Sequence, residues 1–217
     1  VEAIAINLLF SFLNDDEERR LERALKPFGF VSRSSFVLPV YKEYERGIAT
    51  WLNASLGPKV SQYLSSLQTD LRGCDAFIMQ SSGGLLTLDQ AKNRAVNLLL
   101  SGPAGGLSAV RLLGKKLEKP KILSFDMGGT STDVSLMNGD FKLSDEAQIA
   151  NWPVAVPMLD MATIGAGGGS IAWIDDAGML HVGPESAGSK PGPACYGLGG
   201  ELATVTDANL VSGRLPR

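Results

Sequence analysis

Imidazole and thiol are scarce in this chain. His181 is its single histidine, and its two cysteines, Cys74 and Cys195, lie far apart. A structural zinc site takes four clustered nitrogen and sulfur ligands, which this set cannot supply. A Ser–His–Asp nucleophilic set is likewise unsupported, because there is one imidazole and no GxSxG elbow. Two scattered thiols suit a reducing, cytoplasmic setting better than a disulfide-built secreted domain, and both read as small buried residues. An excess of basic charge is also absent. Lys and Arg number 20 against 23 Asp and Glu, for a net charge of −3, so nothing favours nucleic acid or an anionic membrane. No apolar run reaches the roughly 20 residues that a helical membrane crossing needs. There is no GxxxxGK[ST] and hence no P-loop. The run GAGGG at 165–169 is no dinucleotide fingerprint, since the SIAWIDD that follows reads as strand where a helix is required.

What is present describes a globular chain. Hydrophobic residues make up 44% of the 217 and charged residues 20%, enough to bury a core in one large domain or two small ones. Residues 1–10 read as a buried strand. Asn14 with Glu17 resembles a capping box, and Asp15 and Asp16 suit the positive end of a helix that stops at Pro27 and Gly29. Its charge run, DDEERRLER, reads as a solvated face. Apolar residues at steps of three and four from Tyr44 to Leu67 predict a long helix over 40–71, broken or kinked at Pro58. A strand follows at 75–80, then a polar loop from Ser81 to Gly84 and a short helix over 88–96. SGPAGG at 101–106 opens another helix, with Pro103 in its first turn. Segments 121–126, 133–137 and 141–149 read as an antiparallel meander. Farther on, SIAWI and MLHVG pair as a hairpin across DDAG. The chain opens inside a strand-like segment and stops in mid-pattern, so it is expected to be an internal piece of a longer protein.

The most informative segment is DMGGTSTD at 126–133. A carboxylate ends an apolar strand, two glycines follow, then three hydroxyls, then a second strand. Glycines let backbone N–H groups come close to a phosphate because no Cβ intervenes. Gly128, Gly129 and Thr130, helped by Ser131 and Thr132, therefore read as a phosphate cradle. Asp126 is placed to organise Mg²⁺, which prefers oxygen ligands and keeps several waters. Asp133 reads as a residue that closes the hairpin. Gly165, Gly167, Gly168 and Gly169 would permit a loop to approach a nucleotide or substrate closely, although such a run by itself also fits a flexible surface turn. Asp160 and Asp207 read equally as structural or cleft carboxylates. Lys190 reads as solvent-exposed, and Cys195 as a packing residue more than a nucleophile.

DMGGTSTDVSL at 126–136 resembles the phosphate hairpin of the actin, sugar-kinase and chaperone ATPase superfamily. More closely, MQSSGGLLT (79–87), LLSGPAGG (99–106), FDMGGTSTDVSL (125–136), TIGAGGGSIAW (163–173), VGPESAGSKPGPACYGLGG (182–200) and TVTDANLVSGRL (204–215) resemble the hydantoinase A/5-oxoprolinase family, N-methylhydantoinase A included. The likeness spans essentially the whole chain. It implies an α/β fold of RNase H-like, actin-like ATPase lobes, with 1–120 completing a first lobe and 121–217 beginning a second. It implies ATP and Mg²⁺ as cofactors, Asp126 as the catalytic and metal residue, and a cyclic amide such as hydantoin or 5-oxoproline as substrate. The ring would open after phosphorylation of its carbonyl oxygen. A subunit of an ATP-dependent acetone- or acetophenone-type carboxylase is the alternative, and a non-enzymatic nucleotide-switched binding module a third. The likeness also implies a possible B-type hydantoinase subunit and an oligomeric intact enzyme. An upstream DxGGT loop and a downstream FGGAGP-like segment, both part of the family pattern, are missing from these residues, so this stretch is expected to be inactive by itself.

Overall fold

The computed structural model describes residues 1–145, 147–149 and 152–216, with Ile149 described by its backbone alone. In chain order the elements are β1 (Ala3–Ile6), α1 (Asp16–Leu25), β2 (Phe30–Arg33), α2 (Ser34–Val37), α3 (Glu43–Asp70), β3 (Phe77–Met79), β4 (Leu85–Thr87), α4 (Leu88–Lys92) and α5 (Ser101–Lys116). They continue as β5 (Lys121–Met127), β6 (Thr132–Asn138), β7 (Leu143–Ser144), β8 (Ala147–Ile149), β9 (Trp152–Val154), β10 (Met158–Leu159), β11 (Ala162–Ile164), β12 (Ser170–Ile174), β13 (Leu180–Ser186) and α6 (Val205–Val211). Helices with parallel and antiparallel strand pairs make this an α/β chain of the kind its motifs imply. Its residues gather into two compact units, Val1–Ala109 with Lys142–Asp160, and Val110–Phe141 with Met161–Arg217.

In the first unit β1 and β2 pair in parallel, and α1 makes the crossover between them. The strand expected over 1–10 is confined to Ala3–Ile6, because Leu8 to Asn14 close turns on themselves. In place of a capping box, the Asn14 side-chain oxygen accepts the Asp16 amide at 3.0 Å. The acidic first turn of α1 still faces the positive helix end. Its charged run is not wholly solvated. Glu18 is fully buried and accepts from the Leu8 amide, the Ser34 hydroxyl and the Ser35 amide. Burial works against its charge, but those bonds outweigh burial and hold its pKa below the ordinary value. Arg46 of α3, also buried, donates to Asn7, Ser34 and the carbonyls of Leu8 and Val40.

α3 runs unbroken through Pro58, where a break or kink was expected. A proline inside a helix forfeits one backbone bond. Burial of Ala49, Ala54 and Leu64 offsets that loss, and at Gly57 the Phe30 ring lies against the helix where a Cβ would stand. Val37, Leu38, Ala49, Val96, Val154, Val156 and Met158 form one core cluster, and Leu64, Leu86, Leu88 and Ala91 another. The helix expected over 88–96 divides into α4, closed by a Thr87–Gln90 capping box, and a 3₁₀ turn at Ala95–Leu98.

In the second unit β5 and β6 form a long antiparallel hairpin, and β11 adds to the free side of β6. The third strand of this sheet is thus Ala162–Ile164, while β7 and β8, from the 141–149 segment, belong to the first unit and pair there with β10 and β9. Glu146 of that segment lies outside the described residues. Gly114 of α5 leaves room for the Met137 and Ile122 side chains on one sheet face. β12 and β13 form the expected hairpin, bulged between Ser170 and Ala172. Among the described residues no helix is long and apolar enough to cross a membrane.

Candidate functional site

The β5–β6 turn carries the residues singled out as a phosphate cradle. Gly128 donates its amide to the Ser131 carbonyl at 2.8 Å, which closes the turn. The Gly128 and Gly129 carbonyls are tied back: they accept the amides of Gly168 and Gly169 at 2.9 and 2.6 Å. Both turn peptides are trans, and a planar trans peptide points its C=O and its N–H in opposite directions. The amides of Gly129 and Thr130 therefore face away from the 168–169 segment. No acceptor among the described residues is bonded to the amides of Gly129, Thr130 or Ser131. A Cβ built at Gly129 would meet nothing within 4 Å, so the ground beside the turn is open.

Thr132 serves differently from its neighbours. It is buried, and its hydroxyl donates to the Ala166 carbonyl at 2.6 Å, so it anchors the hairpin and is not free to bond a ligand. Thr130 is exposed and Ser131 half-buried.

Asp126 is exposed at the end of β5, and the register sets it directly opposite Asp133 on β6. Side chains opposed across an antiparallel pair share a face, and two carboxylates there repel one another. Asp133 also accepts the Thr163 hydroxyl from β11 at 2.6 Å. A pair of carboxylates beside a phosphate cradle, Asp126 exposed and Asp133 half-buried, suits Mg²⁺, which is commonly bound through one or two carboxylates, phosphate oxygens and waters. Among the described residues no three His, Cys, Asp or Glu side chains gather to hold a metal by themselves.

The GAGGGS segment is a bonded buttress, not a loose surface turn. Its carbonyls are used in succession: Ala166 by Thr132, Gly167 by the Ser170 amide, Gly168 by Thr206, and Gly169 by the Ala187 amide. Fully buried Ser170 accepts the Gly167 amide on its hydroxyl at 2.9 Å. A Cβ at Gly167 would lie 2.7 Å from the Gly128 carbonyl oxygen, and one at Gly169 would lie 2.9 Å from that of Gly129. The close approach that these glycines permit is to the hairpin backbone. Gly165 has open space around it.

The remaining candidates have other duties. Asp207 accepts the amides of Ala194, Cys195 and Thr204 and the Thr204 hydroxyl, closing a capping box on α6. Burial pushes its pKa up, but bonds from the Cys195 thiol and amide and from Thr204 prevail and hold it far below the usual carboxylate range. Cys195 and Cys74 are both exposed, contrary to the expectation of buried thiols. The bond to Asp207 pushes the Cys195 pKa up, which disfavours the nucleophilic thiolate. Lys190 is exposed, and Asp160 belongs with Lys142 to the first unit, where its amide donates to the Lys142 carbonyl. Thr163 and Thr206 were not singled out from the sequence. The one available signal for Thr206 was the T-x-x-D start of a helix that surrounds it.

Known proteins with the same pattern give this geometry a context. The profile of the family described as hydantoinase/oxoprolinase matches residues 46–217. Caprolactamase subunit alpha of Pseudomonas jessenii is 40% identical over 99% of this chain and 32% of its own length. The crystal structure of the ATP-dependent caprolactamase from that organism superposes with a TM-score of 0.79 at 38% identity, covering 100% of this chain and 33% of its own. 5-Oxoprolinase 1 of Arabidopsis thaliana is 40% identical over 98% of this chain and 17% of its own length. A nucleotide-free structure of acetone carboxylase, from work on ATP-dependent acetone carboxylation, matches with a TM-score of 0.78 at 33% identity, covering 100% of this chain and 32% of that one. The chain thus spans about a third, or less, of the length of the relatives it matches. On its motifs, its fold and this match, the chain belongs to the hydantoinase/oxoprolinase family.

Proposed function

We propose that the protein containing this chain opens a cyclic amide by hydrolysis coupled to ATP. The observation that carries this reading is the β5–β6 turn, whose carbonyls are tied back so that the amides of Gly129, Thr130 and Ser131 are left for an anion. Those amides would hold phosphate oxygens, with the exposed Thr130 hydroxyl as a further donor. Asp126, with Asp133 opposite, would hold Mg²⁺ directly or through water. ATP, when bound, would supply a phosphoryl group to the ring carbonyl oxygen, which makes the carbonyl carbon electrophilic enough for water to add and the ring C–N bond to break, with phosphate released by hydrolysis. This chain's part is to fix position and to supply preorganised donors, which is most of what phosphoryl transfer asks of a protein. The remainder of the nucleotide cleft belongs to parts of the family pattern outside these residues. A second, B-type subunit would complete the enzyme, in keeping with the subunit name of the caprolactamase relative, and the assembly would work in the cytoplasm.

In the intact protein, Asp126→Asn or Gly129→Val should lower lactam-stimulated ATP hydrolysis by about 10²–10³-fold. Unchanged turnover in both would end the assignment. The likeness to acetone carboxylase supports a second reading, an ATP-dependent carboxylase subunit. ATP consumption that requires a ketone and bicarbonate, and ignores lactams, would select it.

A further inference from the structure

The buttress behind the turn has its own support. Gly168 offers its carbonyl to two donors of one residue, the amide and the hydroxyl of Thr206, both at 2.8 Å. The opposite end of that same peptide is the Gly169 amide, which donates to the Gly129 carbonyl at 2.6 Å. The opposite end of the Gly129 peptide is the Thr130 amide, one of the outward groups. Two trans peptide planes thus lie in series between Thr206 and the open side of the turn, and each reverses the direction of its hydrogen bond. Hydrogen bonds in series polarise one another, and a plane held at both ends cannot swing. Thr206 is itself held, because it lies within the capping box between Thr204 and Asp207.

We infer that Thr206 is a positioning residue for nucleotide binding: through the Gly168–Gly169 peptide its hydroxyl sets the direction of the Thr130 amide. The inference rests on the reading of the β5–β6 turn as a phosphate cradle. The hydroxyl takes the second lone pair of a carbonyl whose first the Thr206 amide already holds, which fixes the Gly168–Gly169 peptide plane more firmly than one bond would.

The test is calorimetric titration of the intact protein with MgADP, together with amide hydrogen exchange across 165–170. Thr206→Val keeps the shape and removes the hydroxyl. It should weaken MgADP binding about fivefold, the ratio a lost neutral hydrogen bond commands, and should speed exchange at Gly168 and Gly169. Thr206→Ser keeps the hydroxyl and should match the parent in both measurements. If Thr206→Val does not fold, Gly168→Ala replaces it, because its Cβ would stand 2.7 Å from the Thr206 hydroxyl and displace it. Parent-like binding in Thr206→Val, or in Gly168→Ala where that stands in, overturns the inference, as does weakening in Thr206→Ser equal to that in Thr206→Val. Gly129→Val separates this failure from that of the underlying reading. Its loss of MgADP binding upholds the cradle whatever Thr206 does, and its retention of binding removes the cradle and the inference together.

Discussion

Asp207 joins the 3₁₀ turn at Ala194–Tyr196 to the start of α6 through bonds that all require an acceptor. Asparagine would keep the shape and lose the charge. Asp207→Asn should therefore lower the thermal midpoint of the intact protein, measured by calorimetry at pH 7. The pH dependence has a definite sign. The folded pKa of Asp207 is depressed, so its contribution is complete above the ordinary carboxylate value of about 3.9 and is lost as pH falls below it toward the folded value. Between about pH 4 and pH 2 the parent should lose stability more steeply than the variant, as urea midpoints would show. Cys195 gives an independent readout. The hydrogen bond to the Asp207 carboxylate, with burial and then the carboxylate's charge behind it, raises the thiol pKa, so Asp207→Asn should speed alkylation of Cys195 by iodoacetamide at neutral pH, followed by mass spectrometry. Equal rates would mean that the carboxylate does not govern the thiol. The Thr204–Asp207 capping box shows in the residue letters as T-x-x-D, but the link to 194–195 does not, because those partners are brought to Asp207 by a fold around a glycine-rich loop that has no periodicity.

At the scale of elements, amphipathic spacing made α3 legible but misjudged Pro58. Local chemistry opposes the helix there, and tertiary packing decides. Two neighbouring substitutions should act with opposite signs. Gly57→Ala would improve helix propensity by roughly 1 kcal/mol, yet its Cβ would stand 2.3 Å from the Phe30 ring. Overpacking of that kind costs about 1–3 kcal/mol, so net destabilisation is expected. Pro58→Ala restores a backbone donor within α3 and should stabilise by up to about 3 kcal/mol. Denaturant midpoints of the two variants against the parent check both, and destabilisation by Pro58→Ala would mean that the ring itself packs productively. The hairpin strands were legible for a related reason: β5 and β6 pair in sequence across a turn, and their register follows from it. β2 and β11 were not, because four-residue and three-residue strands carry too little pattern and find their partners only through distant chain.

Across the whole molecule, the turn amides, the carboxylate pair and the buttress all lie in the unit formed by Val110–Phe141 and Met161–Arg217. The pairing of Asp126 with Asp133 leaves two negative charges facing one another across a strand pair, a repulsion that a divalent cation with a nucleotide would relieve. Any ligand bound only by the folded state raises stability by mass action, by about 2.7 kcal/mol at a hundred times its dissociation constant. The intact protein should therefore melt at a higher temperature in saturating MgADP, and the shift should shrink when a chelator removes the Mg²⁺. Asp126→Asn relieves the repulsion by another route. Its midpoint without ligand should equal or exceed that of the parent, while its Mg²⁺-dependent shift is lost. A differential scanning fluorimetry series over both proteins, with ADP alone, MgADP, and MgADP plus chelator, tests the two effects together. A Mg²⁺-dependent shift that survives Asp126→Asn would place the cation elsewhere and leave Asp126 with only the repulsion.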